Sequence, residues 1–223
     1  MNGWMKMSCI NDWLVISAEG ELRATSDGSC SPSKLSLDIV ATVDTSSKMT
    51  EQGLTQVLAD ISTVFGETTI AQGEGSHSRF GLVTYASQAR VKYNLNHFKS
   101  TEQMLEEIWN VEYIEESPSL EAGLKKALEA LKSGRAGGIR KNAKPVIVIY
   151  ASDFRRNDVN KSLQLAEQAQ KNGTHIIVIA FKEGGKLKSL EQLEAVASPG
   201  SFFKSTVNNL GDNILSALCN IQG

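Results

Sequence analysis

The run from Leu37 to Thr50, LDIVATVDTSSKMT, constrains this chain more than any other stretch. A mostly apolar, β-branched segment leads into Asp44, and a cluster of hydroxyls, Thr45, Ser46 and Ser47, follows before a helical pattern begins. A near-continuous apolar run of this length is the pattern of a strand buried on both faces, as in a parallel sheet. Ligands of open α/β sheets sit in the crevice beyond the carboxyl ends of the strands. Asp44 is therefore expected in a surface loop where such a fold does its work.

The rest of the chain alternates in the same way. Leu54, Val57, Leu58, Ile61, Val64 and Phe65 recur at helical spacing, and Gly66 stops the pattern. RFGLVTYAS and ARVKYNLN are strand-like runs so close together that they form a hairpin, which puts one antiparallel strand at an edge. Ser100 and Gln103 make a capping box for a helix carrying Met104, Leu105 and Ile108. Ser117-Pro118 reads as an N-cap followed by proline at the first helical position, with Leu120, Leu124, Ala127, Leu128 and Leu131 as the apolar stripe and Gly134 as the end. The spacing then predicts a strand, KPVIVIYASD, that also ends in a carboxylate, Asp153. A helix over 159–171, a strand over 175–181, a helix over 187–197, a short strand over 202–204 and a last helix over 207–221 follow. Such alternation implies right-handed crossovers and a three-layer α/β fold: a mainly parallel sheet, one antiparallel edge strand, helices on both faces. Residues 1–34, with WLVIS and LRAT as candidate short strands, read as an N-terminal extension, and residues 35–223 as one domain.

Several function classes drop out. A formal net charge of -2 gives no global attraction to a phosphate backbone, so nucleic acid is not an expected partner. No apolar run is long enough to cross a bilayer, so membrane insertion is not expected either. The first residues, MNGWMKMSCINDWLVIS, place Asp12 before only a short apolar run and do not read as a signal peptide. The turn DTSSKMT has no glycine for a dinucleotide pyrophosphate, and the basic loop 134–144 precedes a strand instead of opening a helix as a Walker loop does. His77, His97 and His175 lie far apart, two expected in surface loops and one opening a strand. No GxSxG elbow is present, and Cys9, Cys30 and Cys219 avoid the strand ends. What remains is Asp44, Ser46 and Asp153, hard oxygen donors of the type Mg²⁺ prefers. The same residue types also cap helices and close loops, so a purely structural role stays open. So does an α/β hydrolytic enzyme using Asp44 and Asp153 as acid and base or as metal ligands.

These residues resemble the von Willebrand factor A domain, whose metal-ion-dependent adhesion site has a first loop of the form D-x-S-x-S, often followed by Met. Here the loop is Asp44-Thr45-Ser46-Ser47-Lys48-Met49, with Lys48 in the last serine's position. The family's second loop, a threonine shortly before a helix of the form x-G-x-A-L, is matched by Ser117-Pro118-Ser119-Leu120-Glu121-Ala122-Gly123-Leu124, where Pro118 or a neighbouring serine takes the threonine's place. Ser152-Asp153-Phe154 stands where the family has T-D-G. FGLVTYAS, VIVIYASD and the ASPG turn look like invertebrate secreted proteins that join this domain to a C-type lectin domain.

The resemblance implies a non-enzymatic adhesion or protein-binding module, with a protein or glycoprotein ligand at Asp44, Thr45, Ser46, Lys48, Ser117, Ser119 and Asp153. No tightly bound cofactor is implied beyond Mg²⁺ at a degenerate site of Asp44, Ser46 and Asp153. A lysine ammonium has no acceptor and cannot replace a serine oxygen as ligand. Lys48 either folds inward as a stand-in for the cation, or points to solvent and leaves a site richer in water. The family also implies a disulfide between Cys30 and Cys219, with Cys9 to Cys30 as the competing pairing. With acceptor sequons at Asn160 and Asn172, that suits an extracellular protein.

Overall fold

The computed structural model describes residues 30–136, 138, 140–154, 156–181 and 190–222. The WLVIS and LRAT segments and Cys9 lie outside the described residues. Ser31–Gly223 forms one compact unit.

Strands β1 (Leu37–Asp44), β2 (Arg79–Tyr85), β3 (Ala89–Tyr93), β4 (Lys144–Ala151), β5 (His175–Ala180) and β6 (Phe202–Lys204) form one sheet in the order β3-β2-β1-β4-β5-β6. Every pairing is parallel except β2 with β3, the expected hairpin, which lies at an edge. β1 is central. The chain leaves it toward β2 on one side and later returns to pair it with β4 on the other, so the carboxyl end of β1 is the topological switch point.

Alternate residues of β1 face opposite layers, as strand geometry requires. Leu37, Ile39, Ala41 and Val43 pack under α1 (Glu51–Gly66), α2 (Thr101–Glu107) and the last helix, here α5 (Leu210–Gln222). Val40 faces α3 (Leu120–Gly134) and α4 (Arg156–Lys171), with a 3₁₀ turn at Glu191–Val196. All six predicted apolar positions of α1 are buried. Its first turn is capped by Thr50, whose hydroxyl accepts from the Gly53 N–H at 3.1 Å.

Several boundaries differ from expectation. α3 begins two residues later than Ser117-Pro118 predicts: Ser119 is the N-cap, its hydroxyl accepting from Ala122 N–H, and Pro118 lies buried before the helix. The cause is tertiary, because the Ser119 N–H is spent on the Ala86 carbonyl at 2.7 Å, which holds the chain extended for two further residues. The Ser100 cap forms with Gln103 N–H, but the Gln103 side chain accepts from Lys99 N–H, one residue before the cap. α4 begins three residues earlier than 159 and α5 three later than 207. Of the helix expected over 187–197, the described part is mainly the 3₁₀ turn at Glu191–Val196. His77, expected in a surface loop, is buried and bonded to Arg140.

Candidate functional site

The carboxyl ends of β1, β2 and β4 and the start of α3 meet at one pole of the sheet. Asp44 closes β1 there, but it is not in a surface loop: Asp44, Thr45 and Ser46 are all fully buried. The reason is register. β1 is flanked on both sides, and the chain carries loops 45–50 and 108–119 across its end.

Both carboxylate oxygens of Asp44 have protein donors. Ser46 N–H donates to Oδ1 at 2.9 Å, while Ser152 donates to Oδ2 twice, through its N–H at 3.2 Å and its hydroxyl at 2.5 Å. Burial pushes the Asp44 carboxyl above the ordinary 3.8, and the hydrogen bonds from Ser152 and Ser46 pull it part of the way back. Among the described residues no ion pair reaches it.

Around this carboxylate the hydroxyls tie loops together. Thr45 donates through both N–H (2.8 Å) and Oγ1 (3.1 Å) to the Tyr85 carbonyl, pinning β1 to β2, and its own carbonyl accepts from Ile114 N–H at 2.8 Å. Ser47 donates through N–H (2.8 Å) and Oγ (2.9 Å) to the Glu116 carbonyl. The Glu116 carboxylate takes the hydroxyl of Ser87, so the β2–β3 turn is drawn into the same set. Ser46 Oγ accepts from Lys48 N–H at 3.3 Å.

The positions accessible to a partner form a rim outside this network. Lys48 and Ser117 are exposed, Asp153 and Ser119 are half-buried. Lys48 therefore points to solvent, and among the described residues it makes no ion pair; the inward lysine is not what the fold adopts. Asp153 accepts from its neighbour Phe154 N–H at 2.8 Å. Asp44, Ser46 and Ser152 are brought together; Asp153 is held by its own loop. Ser152 is the partner that residue patterns missed. Only its place in the third loop, before Asp153, pointed to it.

Among the described residues no three His, Cys, Asp or Glu side chains gather closely enough to hold a metal ion. The oxygens at hand are the hydroxyls of Ser46 and Ser152 and the carboxylate of Asp44, whose two oxygens already accept three hydrogen bonds; the Ser119 hydroxyl is taken up by the cap of α3. Away from this pole, Cys30 and Cys219 form a disulfide, which excludes the alternative of Cys9 with Cys30. Asn160 is exposed on α4 and Asn172 just beyond it. No helix among the described residues is long and apolar enough to cross a membrane.

Known proteins share this architecture. The chain is 28% identical over 203 residues to C-type lectin domain-containing protein 160 of Caenorhabditis elegans, covering 88% of this chain and 31% of that protein. It therefore spans about a third of the nematode relative's length. Proximal thread matrix protein 1 of the mussel byssus, solved with a zinc-occupied MIDAS motif, superposes with a TM-score of 0.68 at 15% identity over 85% of this chain and 47% of that one. The SpRpn10 VWA domain superposes with a TM-score of 0.56 at 18% identity over 85% and 98%. At such identities these likenesses speak for the fold alone. The profile of the von Willebrand factor type A domain matches residues 38–216, most of the chain, and with the switch-point loop built around Asp44 it shows that the chain belongs to that family.

Proposed function

We propose that this domain is a non-enzymatic interaction module that binds a protein or glycoprotein partner at its strand-end rim, through a degenerate adhesion site with little affinity for a cation. The observation that carries this reading is the state of Asp44. Its oxygens serve protein donors, and the last serine position of the first loop holds an exposed lysine. A hard divalent cation needs oxygens that are free to turn toward it, and Mg²⁺ gives up its waters reluctantly. In this reading Asp44, Thr45 and Ser46 shape the loops from beneath, with Ser119 at the head of α3. Lys48, Ser117 and Asp153 meet the partner with opposed charges that fix its orientation.

The same proposal puts the protein outside the cell. A disulfide persists in oxidising surroundings, and the exposed Asn160 and Asn172 are acceptor sequons. The name of the nematode relative supports a C-type lectin domain in the longer protein.

A thermal titration tests the cation side. The wild type should melt at the same temperature in chelator and in millimolar Mg²⁺ or Mn²⁺, whereas Lys48→Ser should gain a shift that chelator reverses. A large reversible shift in the wild type would defeat the reading. Partner binding is read on the immobilised domain in chelator: extracellular proteins retained by the wild type should be lost when Lys48→Glu and Asp153→Lys are combined, and retention that needs Mg²⁺ would restore a metal-dependent site.

A further inference from the structure

The opposite pole carries a second constellation that the interaction-module reading does not use. Asp38, near the start of β1, is fully buried and faces three arginines from distant parts of the chain. Arg79 Nε donates to its Oδ1 at 2.8 Å, and Arg135 Nη1 donates to Oδ2. Arg140 Nε lies 3.5 Å from Oδ1, a third and longer ion pair on a side chain only 7% exposed.

Guanidinium groups stay protonated in proteins, so one negative charge faces three positive ones. The remaining acceptors are neutral: Asn96 Oδ1 and the Gly134 carbonyl for Arg79, the Ala143 carbonyl for Arg135, and for Arg140 the ring and carbonyl of His77, the Gly73 carbonyl and Ser36 Oγ. His77 adds no compensation of its own. Burial, with Arg140 and Arg79 beside it, holds its ring below the ordinary 6.5, which suits the neutral acceptor that Arg140 needs. Among the described residues no second carboxylate pairs with the cluster; exposed Glu74 borders a neighbouring depression with Arg140 but forms no ion pair with it. Burying excess charge without a counter-charge is costly.

Beside the cluster is a cavity of about 220 Å³, lined by Asp38, Arg79, Arg135, Arg140, Lys141, Gln72 and Asn96; the two oxygens of Asp38 are already held by Arg79 and Arg135. A water takes up roughly 30 Å³, so the cavity has room for a tetrahedral ion with some hydration. Planar guanidinium forks match oxyanions with paired hydrogen bonds. We infer that this cavity is a binding site for a tetrahedral oxyanion, sulfate or phosphate, free or as an ester on a larger molecule, with Arg135 and Lys141 as its donors, Asp38 as the anchor that aims Arg135, and Arg79 and Arg140 supplying positive charge from the wall. A plain brace for loop 134–144 would need the ion pairs to Asp38. It would not need the excess positive charge or the cavity.

The test is calorimetric titration of the purified protein with inorganic sulfate and phosphate at constant ionic strength, chloride being exchanged for the probe. Saturable one-to-one binding is expected. Lys141 is exposed and hydrogen-bonds to nothing among the described residues, so Lys141→Glu should fold normally, keep its melting temperature in chloride, and bind about tenfold more weakly. Arg135→Gln should bind least, and Arg135→Lys should recover only part, since a point charge replaces a fork. Parallel titration with glucose 6-sulfate and glucose 6-phosphate separates the sources. Binding of the inorganic ions alone assigns a free anion, and equal or tighter binding of an ester assigns a modified group on a larger ligand. Sulfate also stabilises proteins generally by exclusion from their surface. No saturable heat, or equal binding by wild type and Lys141→Glu, would overturn the inference.

Discussion

Asp38 and Asp44 lie on the same strand, six residues apart and so facing the same layer, and they are neutralised by opposite means. Asp38 is met by full positive charges; Asp44 is met by amide and hydroxyl dipoles, which only partly offset the rise of its carboxyl above the ordinary 3.8 that burial causes. The Asp44 arrangement leans on Ser152. Ser152→Ala leaves Oδ2 with a single backbone donor and should cost about 1–3 kcal/mol in urea unfolding, whereas Ser152→Thr keeps the hydroxyl and should lose less. Equal losses in the two variants would mean that the hydroxyl is unimportant. The histidines supply a pH dependence. His175 is held below 6.5 by burial, as is His77, where Arg140 and Arg79 add to the shift against Asp38. A ring with a lowered native value contributes stability that is complete above 6.5 and is lost as the pH falls from there through the lowered value. The melting temperature should therefore drop on acidification from about pH 7 to about pH 5, and less so in His175→Gln, which can keep a bond to Ser201 Oγ.

At the scale of elements, α3 shows what a sequence pattern reveals and what it hides. The stripe Leu120, Leu124, Ala127 and Leu131 is buried, with Leu128 packed at its border, because 3.6-residue periodicity reports which face meets the sheet. The start of the helix was not legible, since Ser117-Pro118 satisfies local capping rules and only the bond from Ser119 N–H to the Ala86 carbonyl excludes it. Gly123 marks how close this helix comes to the sheet: a Cβ there would lie 2.7 Å from Cδ1 of Tyr85, a ring that is itself fully buried. Gly123→Ala gains about 1 kcal/mol of helix propensity but overpacks the ring at a cost of about 1–3 kcal/mol, so a net loss is expected on denaturation. Gly66→Ala is the control, because nothing lies nearer than 3.8 Å to its added Cβ. It should be neutral or stabilising, and a loss as large as that of Gly123→Ala would remove close packing as the cause.

For the whole molecule, the alternation of apolar strands with amphipathic helices made the layers and the antiparallel edge readable, because those signals are local. The sites were readable only where their residues adjoin in sequence. Asp44, Ser46 and Lys48 fall in one loop. Ser152 joins them only through the parallel pairing of β1 with β4, and Arg79, Arg135 and Arg140 reach Asp38 only after β1, β2 and the connection from α3 to β4 have assembled. The disulfide was implied by family resemblance and is present between Cys30 and Cys219. It spans nearly the whole sheet domain, so Cys219→Ser should lower stability by up to about 5 kcal/mol on the chain-entropy account. Reductant should bring the wild type down to the variant's melting temperature, and a wild type indifferent to reductant would show that the bond contributes little.

That closure changes how the molecule answers a pull. Ser36 N–H meets the Gln222 side chain at 2.8 Å, so the lead-in to β1 and the end of α5 are neighbours at the pole away from the rim. Tension arriving along the polypeptide outside the two cysteines crosses from one flank to the other through a covalent sulfur bridge, and the hydrogen-bonded sheet between them carries none of the load. Reduced, the same domain would have to bear the force through its strands and its last helix. Oxidation thus decides whether it behaves under strain as an inextensible bead or as a spring that can pay out its whole length.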